Sequence, residues 1–220
     1  MVIKHKFFDH KGGFYFYKVH NPKTESLASN GLAPLREYLG EMFNSCPNSY
    51  FDSGPRSSAL KFKIPGTDVN CVTGHPASAM AKLGLEANAS RYKSNHMKVQ
   101  CFMLENDKTT VAMEVPIWLK QEELHCYNEL FKSEEPLTGH IDVLGIEDNN
   151  VWIWDYKPNA HQEKFASTQT YFYALMLSIR TGIPLERFRC GYFDKYYAFV
   201  FKPEQDILNV SEQLCSFVKK

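Results

Sequence analysis

Thr138–Pro158 reads T-G-H-I-D-V-L-G-I-E-D-N-N-V-W-I-W-D-Y-K-P, and a stretch carrying Gln169 and Tyr173 follows it. Two apolar runs flank a short polar segment. Gly139 to Ile146 and Val151 to Lys157 are dense in strand-forming residues and read as two strands. Glu147-Asp148-Asn149-Asn150 between them is turn chemistry, because Asn and Asp tolerate the left-handed backbone of a tight hairpin. Side chains alternate along a strand, so Asp155 and Lys157 share one face while Trp154 and Tyr156 share the other. Pro158 cannot donate a ladder hydrogen bond, so the second strand stops there and its end opens to solvent.

This pattern places two carboxylates, Asp142 and Asp155, and one amine, Lys157, on a single small sheet. Carboxylates brought together repel unless something neutralises them, and a hard divalent cation prefers such oxygens. A cation held this way can polarise a phosphodiester and activate water, with a lysine offsetting charge on the phosphate. A bare D-x-K arises by chance about once in a chain of this size. Asp9-His10-Lys11 is a second copy, without the upstream G-x-x-D partner, and reads as an exposed turn. For the Asp155 copy the competing reading is a surface salt bridge.

The series G-H-I-D, W-I-W-D-Y-K-P and Q-T-Y-F-Y resembles the PD-(D/E)XK nuclease superfamily. Within it the chain is similar to the branch holding RecB-like nuclease domains, CRISPR-associated RecB-like exonucleases and lambda-type phage exonucleases. The resemblance covers about Gly74 to Phe201 and carries G-x-x-D, D-x-K and Q-x-x-x-Y in that order. It implies an α/β domain with a restriction-endonuclease-like α+β core: a small mixed sheet flanked by helices. It also implies Mg²⁺ or Mn²⁺ on Asp142, Asp155 and the Tyr156 carbonyl. Lys157 would be the catalytic lysine, with Gln169 and Tyr173 positioning the nucleic acid or the groups around the cation. The activity implied is a metal-dependent DNA exonuclease. A structure-selective endonuclease and a non-cleaving recombination or repair module are the alternatives.

The family adds one further acidic or histidine group. Pro76 to Lys98 reads as a helix from the spacing of Ala77, Met80, Ala81, Leu85 and Ala89, and Gly84-Leu85-Glu86 within it is similar to the helix glutamate of lambda-type exonucleases. Glu114 competes with Glu86. It interrupts the apolar run Thr109 to Leu119, where an unpartnered charge is costly to bury. That run reads as the first strand of the sheet, and Pro116 marks it as an edge or bulged strand. RecB-like members often carry G-x-x-x-H. That spacing is absent, and neither His75 nor His96 fits it. His140 faces the Asp142 side by parity and is not read as a ligand.

Gln162 to Thr181 reads as a helix closed by Gly182, with Phe165, Phe172, Met176 and Ile179 as its apolar stripe and Gln169 one turn from Tyr173. Phe188 to Phe201 reads as a hairpin extending the sheet, with its aromatics in the core, and Ser211 to Val218 as a final helix. Upstream, Phe7 to Val19 reads as a hairpin around Lys11-Gly12-Gly13, Leu32 to Phe43 as a helix and Asn44 to Cys71 as loop. The whole, 1–220, reads as one domain: an extension over 1–75 that can arch over substrate, and a core over 76–220.

Twenty-five basic residues balance 25 acidic ones, so the chain does not coat nucleic acid by bulk charge. Arg56, Lys61, Lys63 and Lys82 are candidates for a local groove, against a solvated face. No apolar run approaches the ~20 residues that span a bilayer, and no signal-peptide core is present, so a cytoplasmic or nuclear setting is expected, with no membrane partner. The six dispersed cysteines form no C-x-x-C pair. They lack the late triplet of relatives that hold an iron–sulfur cluster, so no cluster is expected. DNA is the expected partner, single-stranded or with free ends, and an oligomer or recombination partner stays open.

Overall fold

In chain order the elements are β1 (Ile3–His10), β2 (Gly13–His20), α1 (Asn21–Leu27), α2 (Ala33–Ser45), β3 (Asn70–Thr73), α3 (Pro76–Ala87), α4 (Asn95–Asn106), β4 (Thr110–Leu119), α5 (Tyr127–Phe131), β5 (Leu137–Glu147), β6 (Asn150–Tyr156), α6 (Ala166–Thr181), β7 (Phe188–Phe193) and β8 (Tyr197–Phe201). This is a computed structural model, which describes residues 1–204. The strands form one mixed sheet in the order β1-β2-β4-β5-β6-β7-β8-β3. The fold is mixed α/β, with a larger sheet than the small one expected. The helix expected over Ser211 to Val218 lies outside the described residues.

The β5–β6 hairpin closes as its turn chemistry requires. Asp148 and Asn149 have φ of 48° and 58°, and Glu147 pairs with Asn150 across them. β6 and β7 are parallel, so the chain must cross over between them, and α6 is that crossover. The other neighbours in the sheet pair antiparallel. β4 and β5 are covered on both faces, which is why they read as apolar runs rather than as an alternation.

Several expectations change. The helix expected over Pro76–Lys98 is two. Asn88 ends α3 with its backbone N–H on Gly84 O, and its side-chain amide donates to Lys98 O at 2.9 Å, pulling the next helix back across the first. The helices meet at Gly84, where a Cβ would lie 2.9 Å from Phe102 Cβ and 3.0 Å from Lys98 O. α6 begins at Ala166, after a short 3₁₀ turn at Ala160–Gln162, and ends at Gly182 with φ of 68°. It has no single apolar stripe: Thr168, Tyr171, Phe172, Tyr173, Met176 and Leu177 are all buried while Ile179 is exposed. Each large apolar side chain buried this way contributes about 1.5–3 kcal/mol.

β4 is not the first strand and is paired on both sides at its start, but it is bulged as one of the two expectations had it, its register against β5 shifting between Thr110 and Ala112. β2 covers its start through Lys18↔Met113 and Val19↔Ala112 and then diverges. Past that point the outer side of β4 has no strand partner, and Pro116 sits there with its carbonyl accepting from Tyr38 Oη at 2.6 Å. The stretch expected as loop, Asn44 to Cys71, holds two 3₁₀ turns and runs into β3, which pairs with β8. The first 75 residues supply three strands and the buried Leu35, Leu39 and Met42 of α2, so much of the segment expected to arch over substrate belongs to sheet and core. Asp9 and Lys11 are exposed, but His10 between them is buried, so Asp9-His10-Lys11 is a strand end and not a free turn. Among the described residues no helix is long and apolar enough to cross a membrane.

Candidate active site

The pairing of β5 with β6 runs from Glu147↔Asn150 to Val143↔Trp154 and stops there. The next pair would be Asp142 with Asp155. Instead the strands part, and Asp142 Oδ2 accepts a hydrogen bond from the Tyr156 N–H at 2.9 Å. On its other side β6 stays fixed to β7 through Asp155↔Tyr192 and Tyr156↔Phe193, and the Lys157 N–H donates to Phe193 O at 2.9 Å. One flank of the β6 end is therefore rigid and the other is a fork lined by carboxylates.

Asp155 is 1% exposed. Its Oδ1 accepts from Gln169 Nε2 at 2.9 Å, and its Oδ2 lies 2.7 Å from Lys157 Nζ. The same Gln169 amide donates to Tyr173 Oη at 2.9 Å, so the two residues one turn apart on α6 form a single bracket behind Asp155. Tyr173 reaches this place because Gly139 has no side chain: a Cβ there would lie 2.3 Å from Tyr173 Cε1. Gly139→Ala is expected to push Tyr173 out of the bracket at a cost of about 1–3 kcal/mol, read as a lower thermal midpoint. An unchanged midpoint would show that Tyr173 is not wedged against β5.

Glu114 stands across from Asp142, since Met113↔Val143 and Val115↔Ile141 bracket the two. Its φ is 53°, a left-handed backbone that a non-glycine residue adopts only when its surroundings hold it. Gln100 of α4 donates to Glu114 Oε1 at 2.7 Å. Burial and then the Asp142 charge push the Glu114 pKa up to about 8. Burial and then Asp155 raise Asp142 to about 6, while His96 and Lys157 work the other way. Burial alone would lower the Lys157 pKa, but Asp155 and Asp142 outweigh it and the pKa is raised, so the amine is a cation. Burial and then the two aspartates raise the Tyr173 pKa as well, keeping its hydroxyl neutral.

Of the two glutamates read from the sequence, the structure brings Glu114 to the aspartates. Glu86 is exposed on α3, and among the described residues its carboxylate has no hydrogen-bond or ion-pair partner. The Tyr156 ring is buried against Phe193 and edge-on to His96, at 5.8 and 5.2 Å between centroids. His96 fitted no expected spacing, yet its Nε2 lies 3.8 Å from Asp142 Oδ2. It enters the site because the chain turns back between α3 and α4. Gln100 is four residues after His96 on that second helix. The signal for both was a polar pair at helical spacing, which only the position of the break makes meaningful.

His140, on the Asp142 side as parity required, is a core residue. Its ring stacks on Tyr15 at 3.6 Å, its Nε2 is 2.9 Å from His10 Nδ1, and its Nδ1 is 3.3 Å from an Arg56 nitrogen. Burial, reinforced by the Arg56 charge, holds its pKa well below the usual histidine range. Arg56 also donates to Lys11 O and to Tyr15 Oη, so it is tied into this cluster. Lys61 and Lys63 are exposed two residues apart on one loop, and Lys82 is exposed on α3.

Among the described residues no three His, Cys, Asp or Glu side chains are already arranged to hold a metal ion. The donor set still suits a hard divalent cation. Asp142, Asp155 and Glu114 offer carboxylate oxygens from adjoining strands, and burial, then the neighbouring carboxylate charge, raises the pKa of the first and last. Gln100 Oε1 is buried beside them without a hydrogen-bond partner, a neutral oxygen free to ligate. Asp155 Oδ2 is engaged by Lys157 Nζ at 2.7 Å. Comparison with family models, curated proteins and solved structures returns no match for this chain.

Proposed function

We propose that this protein is a Mg²⁺- or Mn²⁺-dependent deoxyribonuclease of the PD-(D/E)XK type that degrades DNA from its ends. The observation that carries the reading is the strand fork itself. Asp142, Asp155 and Glu114 converge there with Lys157 2.7 Å from Asp155, and the Gln169–Tyr173 bracket fixes Asp155 from behind. A surface salt bridge would be solvated and loosely held, whereas here Asp155 is buried and braced and Lys157 is half-buried. The divalent cation, when bound, supplies the positive charge that polarises the phosphodiester and makes water nucleophilic.

The chain's own residues do the rest. Glu114 and Asp142 would hold the cation in their ionised forms, so with pKa values raised to about 8 and about 6 occupancy would rise with pH. Asp155 cannot swing, because Gln169 holds Oδ1. Lys157, a protonated amine at the fork, would stabilise the charge that builds on the phosphate oxygens. Glu86 has no part in this set. The free thiols of Cys46, Cys71, Cys101 and Cys190 fit a reducing compartment, so we place the reaction inside the cell.

Exonuclease action is preferred on the resemblance, and one assay separates it from its rival. End-labelled linear single- and double-stranded DNA is incubated beside covalently closed circular DNA with Mg²⁺. Loss of the linear substrates alone is expected, with the label giving polarity. Cutting of the circle would replace the exonuclease with an endonuclease using the same residues.

A further inference from the structure

Three phenylalanines stand in solvent on the β1–β2 hairpin: Phe7, Phe14 and Phe16 are 49%, 65% and 44% exposed. Phe7 pairs directly with Phe16 across the strands, and Phe14 lies two residues on, so the rings share one face. Phe7 stacks on Phe14 at 5.1 Å and meets Phe16 edge-on at 5.2 Å. The opposite face fastens the hairpin to the core, through buried Phe8, His10 and Tyr17 and the Tyr17 hydroxyl on Leu39 O at 2.6 Å. The three exposed rings therefore serve no attachment of the hairpin, and keeping them in water is costly.

Lys18 shares the ring-bearing face with Phe7, Phe14 and Phe16, as does Asp9, the one carboxylate of Ile3 to His20, which pairs with Phe14; Lys4 and Lys6 lie on the other face with Phe8 and His10. Lys18, on the ring-bearing face, lies 5.8 Å over Tyr92. Beyond Tyr92 come Lys93, before α4, and Lys98, in its first turns, while Arg91 is held by Glu105 at 2.8 Å and His96 of α4 reaches Asp142 at 3.8 Å. A basic path thus runs from the aromatic face to the strand fork.

We infer that this face is a stacking platform for a single-stranded polynucleotide, which the basic path delivers to the acidic fork. The inference deepens the nuclease reading and rests on it. Aromatic faces interleaved with cations accept bases of any sequence, because every base has a π-face and every linkage a charge. A second copy of the chain is the competing occupant. β1 is the outermost strand, but Lys4 and Lys6 on it oppose edge-to-edge pairing, and the rings stand on the face of the sheet, not along its edge.

The test is fluorescence anisotropy with a labelled oligothymidylate in EDTA, where cleavage cannot intervene. The variant Phe7→Ala/Phe14→Ala/Phe16→Ala should bind about tenfold or more weakly than the parent, with an unchanged thermal midpoint. The corresponding triple tyrosine variant should retain binding. In Mg²⁺ the alanine variant should show a raised KM with kcat kept. Equal affinity of parent and alanine variant, or a parent that does not bind the oligonucleotide, overturns the platform. So does a change only in oligomeric state, which would assign the face to a second copy. Ring-dependent binding without any cleavage by the parent would keep the platform and remove the nuclease reading.

Discussion

Asp155→Asn combined with Lys157→Met is expected to lower Mg²⁺-dependent DNA cleavage by at least about a thousandfold, the scale on which losing preorganised charge stabilisation acts. The paired change is the informative one. Removing a single partner of a buried ion pair strands the other charge, at about 3–5 kcal/mol, so lost activity could reflect a damaged fold. Removing both leaves no uncompensated charge, and the Asn amide oxygen still accepts from Gln169 in place of Asp155 Oδ1. The thermal midpoint should hold or rise while turnover disappears. Retained turnover would mean that the fork is a structural ion pair.

Glu114 should make the protein less stable as pH rises. Its folded pKa is raised to about 8, whereas an unfolded glutamate titrates near 4.3. Between those values the folded state binds more protons than the unfolded one, so stability falls with increasing pH. Asp142, raised to about 6, acts in the same direction over a lower window. Glu114 keeps part of its surface open to water, so the loss attributable to it is on the order of 2 kcal/mol rather than the full value of the shift. Urea melts in EDTA at pH 5, 7 and 9 should show the decline, and Glu114→Gln should flatten it. Mg²⁺ should restore the parent at pH 9 more than at pH 5, because ionised carboxylates bind the cation. Equal slopes for parent and variant would show that Glu114 is ionised and solvated like any surface glutamate.

What the sequence disclosed about this architecture follows the range of the forces involved. The β5–β6 hairpin and the turn at Asp148-Asn149 were legible because alternation and turn chemistry are local. Gly182 announced the end of α6 for the same reason. Glu114 stood out as a charge inside an apolar run, and Gly139 as part of G-x-x-D, although its reason, the Tyr173 ring against it, needed the fold. The remainder depended on distant partners. β3 is four residues long and exists through β8. β4 became an interior strand through two pairs with β2. The break between α3 and α4 was hidden because Ala89 continues the helical spacing past Asn88, and with it went His96 and Gln100. The one-sided stripe read on α6 failed because neighbours cover that helix on nearly every side, which periodicity cannot report.

The most direct measurement is release of acid-soluble nucleotide from uniformly labelled linear DNA at pH 8, with Mg²⁺, with Mn²⁺ and with EDTA. Release in either metal and none in EDTA is the predicted result, since Asp142, Asp155 and Glu114 meet at the fork with Lys157 as the cation paired to them. No release with either cation, or equal release in EDTA, would contradict the assignment of Asp142, Asp155, Glu114 and Lys157 to metal-dependent phosphodiester hydrolysis.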